Sequence, residues 1–268
     1  MVDNGMGFAR SGGWRVVRFA VLTFVLTIVA HAVAYLAHEY SHSMAAWAFG
    51  WMKSPFDIDY GSATPGNILL LGDVSDNVEY APIIASGAGW QASLIALAGP
   101  FVGNGVLFFI LDAVSRMDAV RSRRGLQSFV YWLCLMCAGN VWSYVPIRAL
   151  STHADIALSA QGFGIPVWLQ FPFLMAVSGY IAWHFFRKTF PGVCQNVTHG
   201  DPARWLLMAV VTACWFFLFF GAGGMSGSYG TIAWIFSVVS CFLLFPLCAV
   251  WLWSTCGPAD ASSTSASG

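Results

Sequence analysis

The chain has 268 residues, of which 58% are hydrophobic, 16% aromatic and only 9% charged, and its 12 Lys and Arg balance 12 Asp and Glu to a formal net charge of zero. A soluble domain of this length needs more polar surface, so the composition points to a bilayer as solvent. It also excludes a nucleic-acid binder, because the few cations lie between apolar segments and form no basic stripe.

Arg10, Arg15 and Arg18 precede the first long apolar run, at 17–37 or beyond. About 20 apolar residues suffice for a helix across the hydrocarbon. A basic start, an apolar stretch and Ala30-His31-Ala32 imitate a cleavable signal peptide. Apolar character resumes at Val33 to Leu36 and at Met44 to Phe49, which favours an uncleaved helix with a break near Phe49-Gly50.

Late in that run stands His38-Glu39-Tyr40-Ser41-His42. Residues four apart share a helix face, so His38 and His42 can bind one zinc ion while Glu39 serves as general base toward the attacking water. Ionisable groups in a membrane helix are costly unless they are paired, hydrated or bound to metal, and three fall within five residues here. His31, seven residues before His38 on nearly the same face, is either a polar contact between helices or a group that shuttles protons or orients a ligand. The loop that follows carries Lys53, Asp57, Asp59, Asp73, Asp76 and Glu79. It is long enough to cover a site or to meet a substrate.

The second apolar segment, 90–113, contains Ala96-Leu97-Ala98-Gly99-Pro100-Phe101-Val102-Gly103-Asn104. Gly99 permits close approach of another helix, Pro100 leaves a carbonyl of the preceding turn unpaired, and Asn104 is placed to fix packing beside the site. Arg116, Arg121, Arg123 and Arg124 come next, then the third segment, 128–147. Its Asn140 either donates an amide hydrogen bond to substrate or a developing oxyanion, or ties this helix to a neighbour. Cys134 and Cys137 share a helix face but lack a second pair, and the cysteines read as small hydrophobes in packing rather than as a disulfide framework.

A catalytic zinc takes three protein ligands and keeps one position open. Beyond the third segment, His153 and Asp155 are the candidates for the third. The competing reading makes Asp155 a helix cap and His153 a solvent-facing loop residue. Further apolar segments lie at 167–186, 205–222 and 230–252, with Arg187, Lys188 and Arg204 between the first two and a glycine-rich turn, Gly221 to Gly230, between the last two. Asn196-Val197-Thr198 matches the glycosylation pattern on the side where it would not be used.

An inside N-terminus places all of the 12 Lys and Arg except Lys53 and Arg148 on the cytoplasmic side. The expected fold class is therefore an all-α polytopic membrane protein with about six transmembrane helices, both termini cytoplasmic and the catalytic core in the first three helices. The expected organisation is a cytoplasmic segment at 1–16, a metalloprotease core at 17–160, additional helices at 161–256 and a disordered tail at 257–268.

Three features resemble the site-2 protease family of intramembrane zinc metalloproteases: the membrane HExxH at His38 to His42, the alanine-rich Gly99-Pro100 segment with Asn104, and a third element with Asn140, Pro146 and Asp155. The likeness covers about residues 20–160. It implies a Zn2+ cofactor held by His38, His42 and Asp155, with Asp155 preferred over His153. It also implies Glu39 and Asn140 as catalytic groups and a membrane protein or peptide as substrate. Two departures stand out: Ala154-Asp155-Ile156 replaces the usual Leu-Asp-Gly, and the proline-to-aspartate distance is longer than usual. The charge pattern also puts the histidines toward the extracytoplasmic end, whereas many members hold their metal nearer the cytoplasm. A tilted or broken first helix, with the site partway down, would reconcile the two. The alternative functions are a non-catalytic metal-binding membrane protein and a transporter-like protein.

Overall fold

The computed structural model describes residues 5–256, with side chains from 13 to 254. The expected disordered tail, 257–268, and the first four residues of the expected cytoplasmic segment lie outside the described residues. Those described form an all-α protein with no β-sheet; a single β-bridge joins Asp59 to Ser75.

Among the described residues, five helices are long and apolar enough to cross a membrane: 13–48, Gly89–Ser115, Arg124–Ile147, Pro202–Gly224 and Thr231–Ser254. The first belongs to α1, Gly5–Ala48, which runs unbroken through the HExxH sequence. It stops where Gly50 turns to φ +83° and the amides of Gly50 and Trp51 reach back to Trp47 and Ala46, the left-handed stop that glycine provides at low cost. The expected break near Phe49-Gly50 is thus a helix end. At 1.5 Å per residue, His38 lies about 15 Å below that end, partway down the helix.

The loop after α1 is ordered. Two short helices, α2 at Pro65–Leu70 and α3 at Tyr80–Ala85, sit in it. Thr64 caps α2 by accepting from the amide of Asn67, and Pro65 supplies a pre-set first turn. The buried Asn67 side chain donates to the carbonyls of Tyr60 and Ser62 and accepts from the amide of Asp73. So tied, the loop folds back along α1, where the Leu70 carbonyl accepts from His31 Nε2 at 3.0 Å and the Val74 carbonyl from the Tyr35 hydroxyl at 3.3 Å.

α4, Gly89–Ser115, widens into a π-helical stretch over Ala98–Val106, an irregularity expected where Pro100 removes a ladder donor. Gly99 and Gly103 face α1. A Cβ at Gly103 would stand 2.6 Å from Ser41 Oγ and 2.9 Å from His38 Cα, so only glycine lets the two backbones approach this closely.

α5, Arg124–Ile147, runs through the middle of the bundle. Tyr131, Trp132, Cys134, Leu135, Met136, Cys137 and Val141 on it are all buried. Exposed apolar side chains collect instead on α1, at Val21, Phe24, Val25 and Val29. In lipid that inversion costs nothing, because acyl chains are as apolar as the core. Cys134 and Cys137 pack in this core, as expected of small hydrophobes.

After α5 come α6 at Asp155–Phe163 and α7 at Val167–His184. The expected span at 167–186 is helical in this way, but it is not among the five apolar helices. Gln170, Pro172, Ser178 and His184 dilute it. Its far end is anchored by Asp112 of α4, which accepts from His184 Nε2 at 2.9 Å, Thr189 Oγ1 at 2.7 Å and Arg116 Nη2 at 2.7 Å. The chain closes with α8, Pro202–Gly224, and α9, Thr231–Ser254. Of the expected glycine-rich turn, Gly221–Gly224 is a 3-10 extension of α8, and the reversal occupies only 225–230.

Candidate metal centre

One turn of α1 separates His38 from His42, and their Nε2 atoms lie 3.2 Å apart. Both residues are buried. Asp155 Oδ2 comes to 3.2 Å from His38 Nε2 and 3.7 Å from His42 Nε2. Tetrahedral ligands at about 2.0–2.1 Å from an ion stand about 3.3 Å apart, so this triangle has the dimensions of three zinc ligands.

The orientation of each imidazole follows from acceptors that cannot donate. Asn104 Nδ2 donates to the carbonyl of Ala34 at 3.0 Å, which turns its Oδ1 toward His38 Nδ1 at 2.8 Å. His38 therefore carries its proton on Nδ1. His42 Nδ1 donates to the carbonyl of Ile95 at 2.7 Å. That carbonyl stands five residues before Pro100, in the turn from which the proline withholds an N–H. Both Nε2 lone pairs are consequently free to face Asp155, the arrangement that an acceptor on the opposite ring nitrogen enforces in histidine-ligated sites.

Asp155 opens α6, and two features hold it in place. Ser93 of α4 donates through Oγ to the Ser159 carbonyl at 2.7 Å, and a Cβ on Gly162 would come within 3.0 Å of the Ser93 amide. α6 is thereby pressed onto α4. Ala154, just before it, adopts φ +77° and ψ 178°, a conformation costing a non-glycine residue about 1–3 kcal/mol.

The residues fit a metal ion. Asp155 Oδ2 is buried without a hydrogen-bond partner, which is costly unless a cation completes it. Above the two imidazoles there is room only for a hydrogen at Gly99: a Cβ there would collide with His42 Nε2 and stand 2.8 Å from His38 Nε2. The donor set of two imidazoles and one carboxylate suits zinc.

The structure brings together His38, His42 and Asp155, and no other such trio among the described residues. Glu39 is buried between the histidines in sequence, and its carboxylate accepts no hydrogen bond among the described residues. His153 is exposed and stacks on Tyr229, with ring centroids 4.5 Å apart. Asn140 is buried with its Nδ2 unpartnered. His31 binds the Leu70 carbonyl and stacks near Trp215 and Phe219, away from the trio.

Sequence reasoning missed Tyr144, whose ring lies 4.2 Å from that of His38, and Asp76, whose Oδ2 is 4.0 Å from His42 Nδ1 and accepts from the Tyr80 hydroxyl at 2.9 Å. Tyr144 follows Asn140 by four residues on one face of α5, a signal available in the spacing. Asp76 lies in a loop, and nothing local marks it. Burial and the nearby Asp76 carboxylate push the Tyr80 hydroxyl well above its ordinary pKa, so it stays protonated and can keep donating.

Comparison with known proteins finds no matching family model, no matching curated protein and no matching solved structure.

Proposed function

We infer that this integral membrane protein is an intramembrane zinc metalloprotease, hydrolysing peptide bonds in or beside membrane-spanning substrates with a core within residues 17–160. The observation that carries the reading is the buried triangle of His38 Nε2, His42 Nε2 and Asp155 Oδ2 inside a bundle of apolar helices. The resemblance to the site-2 protease family supports it independently, through the HExxH sequence, the Gly-Pro segment and Asn140. Zinc, when bound, supplies Lewis-acid polarisation of the scissile carbonyl and of water.

The remaining chemistry belongs to the chain. Glu39, buried and with a carboxylate that accepts no hydrogen bond among the described residues, takes a proton from the attacking water on a carboxylate oxygen and passes it to the nitrogen of the leaving amine. Asn140, with an unspent N–H, donates to the substrate carbonyl oxygen as charge builds on it. The loop carrying Asp76 comes to 4.0 Å from His42 Nδ1, and beside the site it is tied to α1 by Ser43 Oγ donating to the Asp76 carbonyl at 3.0 Å. Gly99 keeps the space over the Nε2 atoms open. On the charge pattern, both termini are cytoplasmic and the helix at 167–186 is a sixth span.

The test is zinc content and cleavage measured together on the purified full chain in detergent. Wild type should hold about one zinc per chain, and Glu39→Gln should keep that zinc while losing about 10²–10⁴-fold in cleavage rate. Undiminished turnover in Glu39→Gln refutes the general-base role. Metal-dependent stability with no cleavage of any membrane-segment substrate would favour a non-catalytic metal-binding protein.

A further inference from the structure

Beside the metal centre, on the far side of Tyr144, lies a cavity of about 360 Å³ whose walls include His31, Leu70, Gly72, Asn140, Arg148 and Tyr229. Three polar atoms there are buried and unpartnered: Arg148 Nε, Asn140 Nδ2 and His31 Nδ1. A buried polar atom that nothing answers is costly. Their chemistry is complementary. His31 donates through Nε2 to the Leu70 carbonyl, so its Nδ1 is an acceptor, whereas Asn140 and Arg148 offer donors.

Arg148 gives the cavity its sign. It forms no ion pair among the described residues. Its guanidinium is clamped between two rings, with the central carbon 4.6 Å from the centroid of Tyr144 and 4.4 Å from that of Tyr229. Cation–π contact uses none of its N–H groups, so the planar fork that matches two oxygens of one group is unspent. The stack is continuous: His38, Tyr144, Arg148, Tyr229 and His153 follow ring on ring. It fixes Arg148 relative to the metal ligands.

One fixed positive charge suits a singly charged planar acceptor. A doubly charged phosphate would leave an unbalanced charge near Glu39 and Asp155. An acceptor and a donor beside the guanidinium match the N–H and C=O of a peptide unit. Building on the protease reading above, we propose that this cavity is a substrate subsite for a carboxylate of the cleaved polypeptide, held by Arg148, with His31 accepting from the adjoining peptide N–H and Asn140, on the cavity wall, donating to the scissile carbonyl next along the chain.

The test uses full-length Glu39→Gln protein in detergent, so that binding is read without turnover. The probes are an acetylated, amidated pentapeptide of sequence Leu-Ala-Glu-Ala-Leu, its counterpart with Gln at the centre, and the Gln peptide with a free C-terminal carboxylate. The Glu peptide should bind about tenfold or more tightly than the Gln peptide. In Glu39→Gln/Arg148→Gln that advantage should vanish, with zinc content reporting that the fold survives. A gain confined to the free C-terminus would assign the carboxylate to the substrate's chain end rather than to a side chain. Equal affinity for all three peptides, or no binding of any, overturns the proposal without recourse to a variant. Displacement by inorganic phosphate at lower concentration than by acetate overturns it in favour of a phosphate site. The two readings fail separately. Cleavage by wild type without preference for a carboxylate sinks the subsite alone, whereas carboxylate-selective binding with no cleavage by wild type sinks the protease alone.

Discussion

Asn104 and His38 are joined by a 2.8 Å hydrogen bond across the α1–α4 interface, and the other end of the same amide donates to the Ala34 carbonyl one turn earlier on α1. One side chain thereby fixes both the spacing of two helices and the tautomer of a metal ligand. Asn104→Ala should weaken zinc binding about 10–100-fold, because His38 Nδ1 loses its acceptor and the ring its orientation. Competition with a chromogenic chelator would measure it. Unchanged affinity would show that the histidine orients itself.

Gly99 gives a prediction opposite in sign to helix propensity. Gly99→Ala favours a helix by about 1 kcal/mol on propensity alone, yet its Cβ would collide with His42 Nε2 and crowd His38 Nε2. The variant should lose most of its zinc and, with it, any activity. A variant of normal zinc content and raised thermal midpoint would mean that α4 stands farther from α1 than the structure places it.

Asp155 and His153 separate cleanly. Asp155→Ala should sharply reduce zinc occupancy while leaving the helical content by circular dichroism unchanged, since α6 is held by Ser93 and Gly162 rather than by the carboxylate. His153→Ala should retain the metal, because that ring stacks on Tyr229 at the surface of the protein. Zinc loss in His153→Ala with full occupancy in Asp155→Ala would reverse the ligand assignment.

Ala154 carries backbone strain immediately before the third ligand. Ala154→Gly should stabilise the protein by about 1 kcal/mol, the relief of positive φ exceeding the added entropy of the unfolded chain. Ala154→Val should destabilise it by at least as much, since a β-branched side chain tolerates φ +77° worse. Thermal midpoints of the two variants beside wild type decide the matter. The same midpoint for all three would remove strain as an explanation.

Much of this protein was legible in its composition and spacing. Apolar runs of membrane length dictate helices because lipid offers the backbone no hydrogen bonds, and the five apolar helices lie where the runs lie. The i, i+4 spacing of His38 and His42 dictates one helix face, and Pro100 dictates an irregular turn with a spare carbonyl. The fourth run is helical where the sequence expects it, but it carries polar residues as well. Its polar residues Gln170 and His184 have tertiary partners, Ser159 at 3.2 Å and Asp112 at 2.9 Å, that no window of hydropathy registers.

What the tertiary structure alone decided are the relations between segments. Local sequence cannot choose between His153 and Asp155, two residues apart, because the choice depends on how α6 docks on α4 through Ser93, Gly89 and Gly162. Arg148 was visible only as a cation on the wrong side of a charge rule; its place between Tyr144 and Tyr229 requires α5 and the 225–230 turn to meet. Asp76 reaches His42 because Asn67 ties the loop back on itself. The sequence by itself determined the solvent, the helices and one pair of ligands, since these follow from local periodicity and the cost of polar groups in lipid. The third ligand, the orientation of the imidazoles and the cavity beside them were decided by contacts between residues tens of positions apart, which only the packed chain brings into reach.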